Sequence, residues 1–169
     1  MRAITVRQPW AWQIINQRKN IENRTRNIAG KYRGPVAIHA GLQPDKEALR
    51  RLPMRAPEWV TEPRVFDYGV FLGVVDLVDV HEDKPFGDRS DCGPQCGSWA
   101  EPGVWHLMLA NPRPIPLHKQ FKARGQLGLW TPSPEDLEQL QAAIAPTITV
   151  GGHTLSSVLT SRPGWWTCA

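Results

Sequence analysis

The stretch Val70-Phe-Leu-Gly-Val-Val-Asp-Leu-Val-Asp-Val80 decides the fold class. It is apolar on both faces, the pattern of a strand covered on both sides, and so predicts a central strand. Working outward, Val104-Trp-His-Leu-Met-Leu-Ala110 reads as a second buried strand, stopped by Pro112, Pro114 and Pro116. Pro35-Val-Ala-Ile-His-Ala40 reads as a third, with Val36, Ile38 and Ala40 on one face and Ala37 and His39 on the other. Residues 3–7 alternate and are β-branched, which gives a short strand, and residues 126–130 give a last one.

Three segments carry helical patterning. In residues 9–17, Ala11, Ile14 and Ile15 share a face and Trp10 and Trp12 border it. Residues 44–52 form a short charged helix, and residues 134–145 place Pro134 and acidic residues in a first turn. Between these elements, Pro53, Pro57 and Pro63 mark one loop, and residues 83–103 form another that contains Asp88 and Asp91 as turn residues. In the tail, residues 147–169, Leu155, Val158 and Leu159 fit one helical turn, and Trp165 and Trp166 suggest docking. Strands outnumber helices and no regular βαβ alternation exists, so the reading is α+β: a small mixed sheet with flanking helices, for which periodicity alone does not decide between an open sheet and a partly closed barrel. Residues 1–132 form the domain, and residues 133–169 a helical extension packed on it.

Composition bounds the function. The 169 residues are 41% hydrophobic and 21% charged, which fits one globular domain and excludes disorder over most of the length. Such a chain needs neither disulfide nor metal for stability. No run approaches the roughly 18 apolar residues of a membrane span, and the start is charged, so the expectation is a cytoplasmic monomer without membrane contact. Asn23-Arg24-Thr25 is then a chance glycosylation triplet.

The net charge of +4 is unevenly spread: residues 1–64 carry +8, 65–101 carry −6, 102–132 carry +4 and 133–169 carry −2. If the two basic blocks meet, they form a face for a polyanion, of which nucleic acid is the commonest. The phosphate-contact candidates are Arg7, Arg26, Lys31 and Arg33 from the first block, and Arg113, Lys119, Lys122 and Arg124 from the second.

The segments Ile4-Thr-Val-Arg-Gln-Pro-Trp-Ala-Trp12, Lys19-Asn-Ile-Glu-Asn-Arg24 and Tyr32-Arg-Gly-Pro-Val-Ala-Ile-His-Ala40 resemble the ASCH domain family, whose members share a PUA-like barrel. Gly73-Val-Val-Asp-Leu-Val-Asp79, Pro102-Gly-Val-Trp-His-Leu-Met-Leu-Ala-Asn-Pro-Arg113 and Arg124-Gly-Gln-Leu-Gly-Leu-Trp130 continue the likeness in the same order. It covers about residues 3–132. Of the signature Gly-x-Lys-x-x-Glu-x-Arg, Lys19, Glu22 and Arg24 match, and Gln17 stands at the glycine. The resemblance implies recognition of RNA or of a modified base. It also brings in ribonucleases and an amidohydrolase branch acting on N4-acylated cytidine through Lys, Thr and Glu. Glu22 occupies that branch's threonine position, so its nucleophile is missing here.

Apart from any family, an extended Glu22 and Arg24 share a face that Lys19 can reach from the first helix. A carboxylate accepts from a base's amino group, and Arg and Lys donate to its carbonyls. An ion-pair cluster that merely orders the turn is the alternative. Trp10 and Trp12 are the stacking candidates, each stack being worth about 1–3 kcal/mol. His39 follows the segment directly, although a core histidine is its default, as it is for His106. Trp105 and Trp130 belong to the core. Cys92 and Cys96 are expected as reduced surface thiols, because no second pair at finger-like spacing exists, and no metal or cofactor is expected.

Three functions follow. The first is a nucleic-acid-binding or nucleoside-recognising domain whose partner is RNA, another single-stranded nucleic acid or a nucleoside. The second is a metal-independent hydrolase in the same cleft, with Lys19 and Glu22 as catalytic residues. The third is a protein-interaction module marked by an apolar patch at Trp165 and Trp166.

Overall fold

The computed structural model describes residues 1–51, 66–83, 94–145, 147–150 and 153–156. In chain order the elements are β1 (Arg2–Val6), α1 (Trp10–Asn16), β2 (Ile21–Arg24), β3 (Gly34–Ala40), α2 (Lys46–Arg51) and β4 (Phe71–Glu82). A 3-10 segment (Pro94–Trp99), β5 (Trp105–Pro114), a 3-10 turn (Leu117–Lys119), β6 (Leu129–Trp130), α3 (Pro134–Ile144), β7 (Thr147–Val150) and β8 (His153–Ser156) follow.

Six strands form one sheet in the order β2-β5-β4-β3-β1-β6, mixed because β1 and β3 run parallel. Phe71–Glu82 is central, as its sequence demands: β3 pairs with one edge and β5 with the other. The sheet curls as a half-barrel, so that Arg24 on edge strand β2 donates through Nη2 to the Thr5 carbonyl of β1 at 2.9 Å.

Alternation along the strands divides the core in two. Ile4, Val6, Val36, Ile38, Val75 and Leu107 face α1, which contributes Ala11, Ile14 and Ile15. On the opposite face, Ala3, Ala37, Phe71, Val74 and Trp130 pack with Leu140 and Ala143 of α3. Gly73 permits the close seat of α1: a Cβ there would lie 2.6 Å from the Arg113 carbonyl oxygen and 2.7 Å from Ile15 Cδ1. At α3, Ser133 caps the helix by accepting from the Asp136 amide at 3.0 Å, with Pro134 next in the chain.

Three readings change. β5 does not stop at Pro112 but runs to Pro114, because β2 pairs only with residues 105–108 and leaves the far half of β5 without a partner on that side, where a proline removes no ladder bond. The last sheet strand is two residues long. Leu155 lies in β8, paired antiparallel with β7, instead of in a helical turn. The prolines at 53, 57 and 63, Asp88, Asp91, Cys92, Val158, Leu159, Trp165 and Trp166 lie outside the described residues. Among the described residues, no helix is long and apolar enough to cross a membrane.

Candidate base-binding pocket

α1 ends at Asn16, and Arg18 turns the chain with φ +57°, which delivers Lys19 to the start of β2. Glu22 and Arg24 then fall two residues apart on one face of that strand. Glu22 bridges its neighbours: Oε2 lies 3.5 Å from Lys19 Nζ and Oε1 3.0 Å from Arg24 Nη2. Lys19 also donates to the Ile21 carbonyl. Lys19 and Glu22 are buried, while the Arg24 side chain keeps 26% exposure. Burial pushes the Lys19 ammonium below its ordinary value of 10.5, and Glu22 opposes that shift by charge and hydrogen bond.

This cluster is part of the lining of a cavity of about 810 Å³ in the seam between β1 and β2, a size that suits a nucleoside. Thr5, Trp10, Asn23, Asp45, Trp99 and Gln126 also line it. Lys19 Nζ lies 5.6 Å from the Trp10 ring centroid and 5.9 Å from that of Trp99, so both indoles stabilise the cation. Trp10 is held in turn: its Nε1 donates to Asp45 Oδ2 at 3.0 Å, and Asp45 Oδ1 accepts from the Ala48 amide at 2.9 Å at the start of α2. Those bonds, the backbone one first, hold the Asp45 carboxyl below its usual range. Asn23 fixes the other wall, donating to the Trp99 carbonyl at 2.9 Å and accepting from the Glu101 amide at 3.2 Å.

Two buried polar atoms of the lining residues, Thr5 Oγ1 and Arg24 Nε, make no hydrogen bond among the described residues. Gly125 closes against Thr5: a Cβ there would lie 2.8 Å from Thr5 Oγ1 and 2.7 Å from His39 Nδ1.

The structure therefore brings Arg7, Trp10, Lys19, Glu22 and Arg24 together and separates others. Trp12 points elsewhere on α1 and packs edge-on against Phe66 at 6.0 Å, because residues 10 and 12 cannot share a helical face. His39 does not line the cavity; it is core, flanked by Phe71 and Trp130, and its Nε2 donates to the Ala123 carbonyl at 3.0 Å. Arg33 pairs with Asp79 at 3.2 Å and Arg113 with Asp76 at 2.7 Å, so two of the eight phosphate candidates are engaged by carboxylates. Arg26, Lys31, Lys122 and Arg124 are exposed, and Lys119 is half-buried. The cavity itself is not a basic cleft: Arg7, Lys19 and Arg24 are matched by Glu22, Asp45 and Glu101. Trp99, Asn23, Asp45 and Thr5 were missed as site residues, since only the curl of the sheet brings them to one place.

Cys96 also departs from its reading as a reduced surface thiol: it is buried and disulfide-bonded, covered by His81 and His106. No protein-family model matches the chain, and no curated protein matches it.

Proposed function

We propose that this chain is an ASCH-like, PUA-like domain that recognises a nucleobase, as a nucleoside or within a single-stranded RNA, in the cavity between β1 and β2. The carrying observation is the set Lys19, Glu22 and Arg24 beside Trp10 and Trp99. It offers a carboxylate acceptor between two cationic donors, with aromatic faces alongside. Glu22 accepts from an exocyclic amino group, Arg24 donates to a ring carbonyl, and Trp10 stacks on the base. The charge balance of the lining favours the uncharged base there and leaves phosphates to the exposed lining residue Arg7 and to Arg124, exposed and next in the chain to the lining residue Gly125.

The test is calorimetric titration with unmodified nucleosides, N4-acetylcytidine, and short RNA and DNA strands at several salt concentrations. We expect a ligand whose affinity falls about 10–100-fold in Glu22→Gln, the range for hydrogen bonds to charged groups. Trp10→Ala removes about 1–3 kcal/mol of stacking. The reading fails if nothing binds, or if binding is the same in Glu22→Gln and Arg24→Ala.

A second reading, hydrolysis of the bound nucleoside or RNA, is favoured by one observation: the buried Lys19 ammonium, held below its ordinary value by desolvation, lines the cavity 3.5 Å from the Glu22 carboxylate. Product formation without added metal, lost in Lys19→Ala, would establish it; an unchanged ligand after long incubation would remove it.

A further inference from the structure

His81 and His106 are direct partners across the β4/β5 ladder, and the buried Cys96 lies beside them on the 3-10 segment. His81 Nε2 is 3.2 Å from Cys96 Sγ and 3.4 Å from His106 Nδ1, and the three atoms all lie within 4.8 Å of one another. The outer nitrogens determine the tautomers. His106 Nε2 contacts the Glu101 carbonyl oxygen at 2.8 Å; a carbonyl only accepts, so Nε2 carries the hydrogen. His81 Nδ1 contacts the Asp79 carboxylate at 3.2 Å and likewise donates. A disulfide sulfur likewise only accepts, so His81 Nε2 donates toward Cys96 Sγ and the acceptor His106 Nδ1, and a divalent cation can take the place of that shared proton among the three atoms.

We infer that His81 Nε2, His106 Nδ1 and the thiolate of Cys96 form a zinc-class divalent metal site in the reduced chain. The spacing fits. With metal-to-nitrogen bonds of about 2.0–2.1 Å, tetrahedral coordination separates two imidazole nitrogens by about 3.3 Å. It separates nitrogen from a thiolate sulfur by about 3.6 Å, a few tenths beyond the contact seen here. Imidazole nitrogen with thiolate sulfur selects zinc over the harder cations. Each histidine already has the outer-shell acceptor that orients a metal-bound ring, a carboxylate on one and a backbone carbonyl on the other.

Cys96 is disulfide-bonded, and a disulfide sulfur is not a ligand, so the site forms only after reduction. A dithiol reductant supplies two electrons and two protons. The protein S–S bond breaks, the reductant becomes its own cyclic disulfide, and two protein thiols result. Metal binding then expels the Cys96 thiol proton to solvent as the metal–sulfur bond forms. The ion ties the segment Pro94–Trp99 to the end of the β4/β5 hairpin and thereby holds Trp99, a wall of the cavity.

The experiment is titration of the full chain, reduced with a dithiol under inert gas, with Zn²⁺ and separately with Co²⁺, with circular dichroism as the control for folding. We expect one ion per chain. The cobalt adduct should show the intense visible bands of a tetrahedral site and a thiolate-to-cobalt charge-transfer band. Cys96→Ser should abolish the charge-transfer band, and His81→Asn should weaken binding at least 100-fold. Asp79→Asn changes a half-exposed outer-shell residue without disturbing the core, and should weaken binding about 10–100-fold. The inference is overturned if the folded, reduced chain binds no ion, if the cobalt spectrum lacks the sulfur band, or if affinity is unchanged in Cys96→Ser and His81→Asn.

Discussion

The Lys19, Glu22 and Arg24 cluster and the His81, Cys96 and His106 cluster draw on neighbouring strands, β2 and β5, and both bury polar groups. In the first, opposite charges satisfy one another: one carboxylate stands between two cations. In the second, two rings that donate outward converge on a sulfur with their other ring nitrogens inward. A cluster neutralised from within can offer its remaining donors and acceptors to a ligand. A cluster of converging ligand atoms, once its shared proton is lost, holds a cation instead. Asn23 joins the two, since its register partner in β5 is His106 and its side chain holds Trp99 against the cavity.

The largest effect should come from breaking the first cluster. Glu22→Ala leaves Lys19 buried without its counter-charge. Removing one partner of a buried pair costs about 3–5 kcal/mol, which the partial exposure of Arg24 reduces to roughly 2–4 kcal/mol. Urea unfolding at neutral pH measures it. The variant should also recover with rising pH. Loss of Glu22 lowers the folded-state pKa of Lys19 further, the unfolded chain then binds more protons below the ordinary 10.5, and stability increases with pH across that interval. A loss that does not diminish toward high pH would mean that the Lys19 charge is not the source. The wild-type triad should respond the same way to chelator or to none, unlike the histidine cluster of the reduced, metal-loaded chain.

Much of the first cluster was legible in the sequence, because Lys19, Glu22 and Arg24 are close along the chain and an extended segment fixes their shared face. The central strand was legible because both its faces are apolar. The second cluster was not, because residues 81, 96 and 106 meet only through the β4/β5 register and the return of the 3-10 segment. The paired spacing of Cys92 and Cys96 gives a signal, but nothing local says which histidines face Cys96. Trp12 was misplaced for a related reason: a helix fixes which residues share a face, yet the sequence does not say which face meets the cavity.

An intermediate effect tests the wall between the cavity and the core. Gly125→Ala places a methyl within 2.8 Å of Thr5 Oγ1 and 2.7 Å of the His39 ring, which Phe71 and Trp130 prevent from moving. Overpacking of this kind costs about 1–3 kcal/mol, and ligand affinity should fall with it. Burial lowers the His39 pKa below its ordinary 6.5, chiefly by desolvation. The unfolded chain therefore binds more protons than the folded one just below 6.5, and stability declines as pH falls through that region. His39→Gln should flatten this acid limb in a pH series of thermal melts. An unchanged limb would assign the acid sensitivity to groups other than His39.

The smallest effect lies at the turn that launches Lys19. Arg18 has φ +57°, a left-handed conformation that a residue with a Cβ adopts at a penalty of about 1–2 kcal/mol. Gln17, one residue earlier, has φ −122° and needs no glycine, so the strained position of the turn is Arg18. Arg18→Gly relieves the strain but enlarges the freedom of the unfolded chain by about 0.5–1 kcal/mol, which leaves a net gain between zero and about 1.5 kcal/mol. Urea unfolding resolves that gain. If Arg18→Gly stabilises the fold while ligand affinity and metal affinity stay constant, the turn serves only to deliver Lys19. A fall in ligand affinity alone would instead make the rigidity of this turn part of how the first cluster binds, and would separate it further from the second.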